Sequence, residues 1–162
     1  MKTLYLRQMP LLMVLLAGSQ HGMATVSAGK AFAELNHENL IGKWRCSSEI
    51  AEYQIKTNTQ DEYRADGAYS SESVTEIKRG DTVQRSSIQV EAQWTLSGNS
   101  VRLSQIQLKA AQSDDPAYAV RLQEVFQKFD WAENRVLSIS RSSLVFLPLA
   151  PMASDRPIHC QR

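Results

Sequence analysis

The chain has 162 residues and nearly balanced charge, with 18 Lys and Arg against 17 Asp and Glu and a formal net charge of +1. Because neither sign of charge dominates, the chain lacks the electrostatic signature of a nucleic-acid binder or of a protein held on an anionic membrane surface. We therefore expect no nucleic-acid partner.

The first residues predict a secretory signal peptide. Lys2 and Arg7 form a positive start, and residues 9–18 are apolar but shorter than the ~20 residues that span a bilayer. Small residues follow up to Ala28, which is typical of a cleavage site. The alternative, a short membrane anchor, is disfavoured by the brevity of the apolar run. We expect a signal peptide at 1–28 and one domain at 29–162 that is periplasmic or secreted and does not span the membrane after cleavage.

The next segments predict short strands separated by tight turns. Residues 30–40 are weakly amphipathic and indicate a helical turn before a strand on which Trp44 and Cys46 share one face. Asp66-Gly67 and Arg79-Gly80-Asp81 predict turns between extended segments. The acidic residues of this region alternate with polar ones and are interpreted as a solvated face; they are Asp61, Glu62, Asp66, Glu72 and Glu76.

The clearest pattern lies in residues 88–108, which predict an antiparallel hairpin with one buried face. Ile88, Val90 and Trp94 alternate with polar residues, and Ser97 to Ser100 supplies turn residues. The apolar residues of the second strand change phase after Ser104-Gln105. One extra residue at that point, a β-bulge, would restore the phase and bend the sheet.

A single amphipathic helix is predicted late in the chain. Apolar residues recur at helical spacing from Tyr118 to Phe129, with Asp114 or Asp115 as the N-cap and Pro116 in the first turn. Such a helix usually buries its apolar stripe as a plug or flank. The alternative is a lid over a cavity.

The remaining strands favour closure into a barrel. Residues 135–140 predict a strand with Leu137 and Ile139 on one face, and Ile158–Arg162 predicts a last short strand. Many short strands with one helix fit a sandwich or a closed antiparallel up-and-down β-barrel. We expect Cys46 and Cys160 to form a disulfide in an oxidising compartment. Their positions on the first and last strands favour the barrel, because closure makes these strands neighbours.

A metal site is the rival interpretation of the cysteines. Cys46, Cys160 and His159 give only three ligands, whereas structural zinc sites usually have four. We therefore expect no metal and no cofactor.

Several short motifs resemble those of bacterial lipocalin-like (calycin-type) β-barrel domains. Leu40-Ile-Gly-Lys-Trp44 is similar to their Gly-x-Trp opening, 63–69 to their Asp-Gly turn, and 93–99 to their Gly-Asn hairpin. The resemblance implies a barrel cup that holds an apolar molecule. It also implies that an arginine near the end of the chain, Arg162 or Arg156, covers Trp44.

The functional hypothesis is therefore an exported binding protein with a small hydrophobic ligand in the barrel. The expected ligand-binding residues are Trp94, Val90, Ile88, Tyr63 and Tyr69, although such residues often serve only as core. After signal cleavage only His37 and His159 remain as histidines, and no catalytic motif is found, so we expect no enzyme.

The alternative is a module that binds another envelope protein, as an inhibitor or immunity-type factor, with a filled core and no ligand. A continuous cavity behind Trp94 would favour the ligand-binding hypothesis. An exposed aromatic patch around Tyr53, Tyr118 or Trp131 would favour the protein-binding one.

Overall fold

The computed structural model of the protein describes residues 35–151 and 153–162. The predicted signal peptide at 1–28 lies outside these described residues. No helix within the described ranges is long and apolar enough to cross a membrane.

Eight antiparallel strands form a closed barrel in chain order, with the last strand paired to the first. This confirms the predicted all-β barrel fold with one late helix. The elements are α1 (His37–Leu40), β1 (Gly42–Ile50), a 3-10 turn (Ala51–Tyr53), β2 (Ile55–Tyr63), β3 (Ala68–Arg79), β4 (Thr82–Ser97), β5 (Ser100–Ser113), α2 (Pro116–Phe126), β6 (Trp131–Ile139), β7 (Ser143–Ala150) and β8 (Ile158–Gln161).

A disulfide joins the two ends of the barrel. Cys46 on β1 lies directly opposite Cys160 on β8 in the strand register, and their sulfurs are bonded. The predicted disulfide is confirmed, and the bond leaves neither thiolate available as a metal ligand. Because the bridge closes a sequence separation of 114 residues, it restricts the unfolded chain over most of the domain.

The predicted tight turns are present where glycine tolerates positive φ. Gly98 has φ of +59° in the turn between β4 and β5, and Gly67 has φ of +82° in the turn between β2 and β3. The amide of Trp94 donates to the carbonyl of Gly67 at 2.8 Å. This bond ties the β2–β3 turn to the neighbouring strand.

The register shifts at four places within the described strands, two in the β4–β5 pairing and two in the β6–β7 pairing, and one of the four was predicted. Gln105 has φ of +53°, and the β4–β5 register shifts beside it, which confirms the bulge at Ser104-Gln105. Another of these register shifts lies between Val136 and Ser138 on β6. The prediction that Leu137 and Ile139 share a face is therefore wrong: Leu137 is 50% exposed and Ile139 is buried.

The helix α2 flanks the barrel and contributes little to its core. Asp115 caps it by accepting a hydrogen bond from the amide of Ala117 at 2.9 Å, and Pro116 occupies the first turn, as predicted. The helix packs beside β5, and none of its residues is buried. This arrangement matches the flanking interpretation of the helix.

The interior of the barrel has two chemically different ends. The apolar end contains large buried side chains, including Leu40, Trp44, Tyr63, Trp94 and Val101. The hydroxyl end, further along the same strands, contains Ser48, Thr57, Thr59, Ser73 and Thr75. Asp61, opposite Ser71, lies between the two ends in the register of β2 and β3, and Tyr69 lies opposite Tyr63 at the edge of the apolar end.

Candidate ligand-binding site

The apolar end is sealed around Trp44. Its indole nitrogen donates to the carbonyl of Leu40 at 2.8 Å, and the ring is fully buried. The guanidinium carbon of Arg162 lies 4.0 Å from the ring centroid, a cation–π contact. Arg162 also donates to the carbonyl of Asn39. These contacts connect the last residue of the chain to α1 and close this end of the barrel.

Gly42 lies beside this arrangement in a backbone conformation that favours glycine, with a φ of +125°. A Cβ at this position would lie 3.8 Å from the guanidinium carbon of Arg162, which is an ordinary van der Waals contact. A side chain here would therefore be strained by the backbone conformation and not by the arginine. Of the two arginines expected to cover Trp44, Arg162 does so, whereas Arg156 pairs with Glu52 at the surface.

Trp94 is packed within the same apolar end. His37 stacks on its ring with centroids 4.4 Å apart, and Tyr63 meets it edge-on at 5.6 Å. Its indole nitrogen donates to the carbonyl of Arg64 at 3.0 Å. Since Trp94 is only 2% exposed and its polar atom is satisfied, it contributes to the core rather than to an open pocket.

The hydroxyl end is organised by cross-strand pairs between β2 and β3. The hydroxyls of Thr57 and Thr75 lie 3.0 Å apart, and those of Thr59 and Ser73 lie 2.9 Å apart. The pairs arise because alternate residues of each strand point inward and face each other across the ladder. In each pair one hydroxyl donates to the other, and together the pairs give this wall a polar surface.

A cavity of about 210 Å³ lies against this wall. The polar wall is formed by residues of β1, β2 and β3, including Ser48, Thr59, Asp61 and Ser73. Apolar side chains also line the cavity, namely Tyr69, Phe146 and Ile158. The cavity thus offers both a hydrogen-bonding surface and an apolar surface to a small molecule.

Asp61 is the buried carboxyl group of this cavity, with only 5% of the residue exposed. The Tyr69 hydroxyl donates to Oδ1 at 2.8 Å, and Ser71 also hydrogen bonds to the carboxyl group. The Cys46 sulfur lies 3.4 Å from Oδ2. Because this sulfur is in a disulfide it carries no proton and cannot donate a hydrogen bond to the carboxyl group.

Burial changes the acid–base properties of this group of side chains. Desolvation raises the pKa of Asp61 above its ordinary value of 3.8, while hydrogen bonds from Ser71 and Tyr69 oppose the shift. Desolvation also raises the pKa values of Tyr63 and Tyr69 well above the ordinary range, and the nearby Asp61 charge adds to it. Both tyrosines therefore stay protonated and can donate at neutral pH.

The interpretation of Asp61 as part of a solvated acidic face is wrong. Its position was available from the sequence, because a period of two counted back from Tyr63 places Asp61 and Thr59 on the inner face. The abundance of neighbouring acidic residues obscured this signal. Glu72, which belongs to the same predicted face, is exposed as expected.

The five residues expected to contact a ligand are dispersed between the core and the cavity. Tyr69 lines the cavity, while Tyr63 and Trp94 lie in the packed apolar end. Val90 is buried and Ile88 is half-buried on β4. The residues that sequence reasoning missed are Asp61, Phe146 and Ile158, and their role in ligand contact, like that of the five, stays a prediction.

The chain matches no protein-family model and no curated protein. Within residues 35–151 and 153–162, no group of His, Cys, Asp and Glu side chains is arranged to hold a metal ion.

Proposed function

We propose that the protein is an exported, lipocalin-like binding protein whose barrel holds a small ligand with an apolar body. The observation that carries this proposal is the interior cavity between the hydroxyl wall and the side chains of Phe146 and Ile158. The function proposed is binding rather than catalysis.

The capped tryptophan supports the lipocalin-like part of the proposal. The motif resemblance implied that a late arginine covers Trp44, and Arg162 occupies that place over the ring. Gly42, the glycine of the Gly-x-Trp motif, lies beside Arg162 with a φ of +125° that favours glycine. The same three residues on a closed eight-stranded barrel are what the resemblance leads one to expect.

The disulfide supports export. Disulfides such as Cys46–Cys160 persist in oxidising compartments and are rare in reducing ones. A periplasmic or secreted location is therefore part of the proposal.

The size of the cavity limits the ligand. At about 210 Å³ it is smaller than the ~300–1,000 Å³ of pockets that hold drug-sized molecules. It would accept a molecule on the order of ten non-hydrogen atoms. The ligand class proposed is accordingly a small molecule rather than a long-chain lipid.

The direct test is native mass spectrometry of the protein purified from its own source, followed by organic extraction. A stoichiometric small molecule is expected, and Ile158→Trp should displace it by filling the cavity. Leu137→Trp is the matched control, because Leu137 is half exposed on the outer surface. Recovery of unliganded wild-type protein would contradict the proposal.

Exposed apolar residues favour a second candidate function, a module that binds another envelope protein. Tyr53 in the 3-10 turn is 68% exposed, and Val83 near the β3–β4 turn is 46% exposed. The amide of Lys78 donates to the carbonyl of Gln54 at 3.0 Å and so links the two regions. Under this candidate, a partner retained by the wild type should be lost with Tyr53→Ser but kept with Ile158→Trp.

A further inference from the structure

We infer that the ligand of the barrel cavity carries a small organic ammonium group that binds the carboxylate of Asp61. This inference rests on the proposed binding function and adds the chemical class of the ligand. It follows from the burial of Asp61, the charges around it and the composition of the cavity wall.

Among the residues that the structure describes, Asp61 is the only carboxylate that lines the cavity, and none of their Lys or Arg side chains lines it. Among the ion pairs of residues 35–151 and 153–162, none includes Asp61. Its hydrogen-bond donors are the neutral hydroxyls of Tyr69 and Ser71. A buried carboxylate without a countercharge is costly, and a cationic ligand would supply that charge.

Several hydroxyls of the polar wall already have hydrogen-bond partners within the protein. Thr57 pairs with Thr75, and Thr59 pairs with Ser73, so these hydroxyls are already hydrogen bonded. A carboxylate can accept about four hydrogen bonds, and the Cys46 sulfur beside Oδ2 cannot donate one. Asp61 therefore has accepting capacity for a ligand with several N–H donors.

The apolar wall of the cavity indicates that the rest of the ligand is apolar. Phe146 is largely buried, and Ile158 and Tyr69 also line the cavity. An ammonium group at Asp61 would leave the body of a small ligand against these side chains, where burial of apolar surface is favourable. An anionic ligand of the same shape would meet the Asp61 charge and be repelled.

The test compares three probes that share a phenyl body and differ in the head group: phenethylamine, phenethyl alcohol and phenylacetate. Binding to the wild-type protein is measured at neutral pH by titration calorimetry and ligand-observed NMR. The amine is protonated under these conditions. We expect it to bind at least about tenfold more tightly than the alcohol, and phenylacetate to bind most weakly.

Asp61→Asn tests the residue itself, because it removes the charge with little change of volume. The amine should lose about tenfold or more in affinity, and the alcohol less than about threefold. Asp81→Asn is the control, since Asp81 is an exposed acid in the β3–β4 turn. The comparison of probes on the wild type remains decisive even if the Asp61 variant fails to fold.

Equal binding of amine and alcohol, or an amine affinity unchanged in Asp61→Asn, would overturn the ammonium inference and leave the binding function intact. The inference also fails if no probe binds while the native protein still yields an extracted ligand. If no probe binds and no ligand is extracted, the ammonium inference and the proposed function both fail.

Discussion

The two ends of the barrel interior are built from the same strands and differ in what they do. At the apolar end, Trp44 and Trp94 are nearly inaccessible, and both indole nitrogens are hydrogen bonded. At the hydroxyl end, small Thr and Ser side chains leave a cavity beside Asp61. Large side chains at one end supply packing that stabilises the fold, whereas the other end contains a cavity of about 210 Å³.

The difference shows that a barrel need not be wholly filled or wholly hollow. Strand β2 passes through both ends, with Tyr63 in the packed core and Thr57 and Thr59 on the cavity wall. A change at the apolar end should therefore alter stability, whereas one at the hydroxyl end should alter binding.

Trp44→Ala should give the largest effect on stability. Removing this fully buried side chain leaves a cavity and an unpaired Leu40 carbonyl, so the free energy of unfolding should fall by about 3–5 kcal/mol. Chemical denaturation measures the change. Ser73→Ala, the matched change at the hydroxyl end, should cost about 1 kcal/mol. Equal losses for the two variants would contradict the division of the interior.

Removal of the disulfide should give the second-largest loss of stability. The double variant Cys46→Ala, Cys160→Ala frees the two ends of the barrel, and the free energy of unfolding should fall by about 2–4 kcal/mol. Thermal unfolding of the variant and of the reduced wild type should agree. An unchanged melting temperature in both would show that the pairing of β1 with β8 holds the ends together without the bond.

Arg162→Ala should reduce the stability less than removal of the disulfide does. The variant loses the contact over Trp44 and the hydrogen bond to Asn39, so we expect a fall of about 1–2 kcal/mol in the free energy of unfolding. Arg156→Ala is the control, because its ion pair with Glu52 is exposed and worth little. A larger loss for Arg156→Ala would contradict the role given to Arg162.

Asp61→Asn should give the smallest effect on stability, and the size of that effect depends on pH. Because burial raises the pKa of Asp61 above 3.8, the folded protein retains a proton that the unfolded chain has already lost above that pH. The wild type therefore loses stability as the pH rises from about 4 towards the folded pKa.

The Asp61→Asn variant lacks this pH-dependent loss of stability. The stability of the variant relative to the wild type should therefore increase from about pH 3 to about pH 7. Urea denaturation at the two pH values measures the difference. A variant that becomes relatively less stable at the higher pH would show that the folded state favours the charged carboxylate.

Local patterns in the sequence predicted much of the fold. Alternation in 88–96 identified the inner face of β4, turn residues located the hairpins, and the phase change at Ser104-Gln105 predicted the bulge that the strand register shows. Asp115 and Pro116 located the start of α2. These features succeed because each depends on residues close together in the chain.

The candidate site was harder to predict from the sequence than the fold, because it depends on contacts between residues that are far apart in the chain. The bulge at Leu137 leaves no phase change in the sequence. Leu137 and Ile139 are two residues apart, as on one face of a regular strand, although the strand register shifts between Val136 and Ser138. Which inward residues meet depends on the register of several strands. Ser71 lies beside Asp61 across β2 and β3, while Phe146 and Ile158 reach the same cavity from β7 and β8.

The sequence by itself determined the strands, the turns, the helix and the expectation that Cys46 pairs with Cys160, because period, turn chemistry and cysteine position are properties of the chain. Tertiary structure alone decided that Arg162 rather than Arg156 covers Trp44, and that Ser71, Phe146 and Ile158 come together around the cavity beside Asp61. Both outcomes depend on the side chains brought together when the barrel closes. The burial and the contacts of a residue depend on its neighbours in the folded barrel and not on the residue alone.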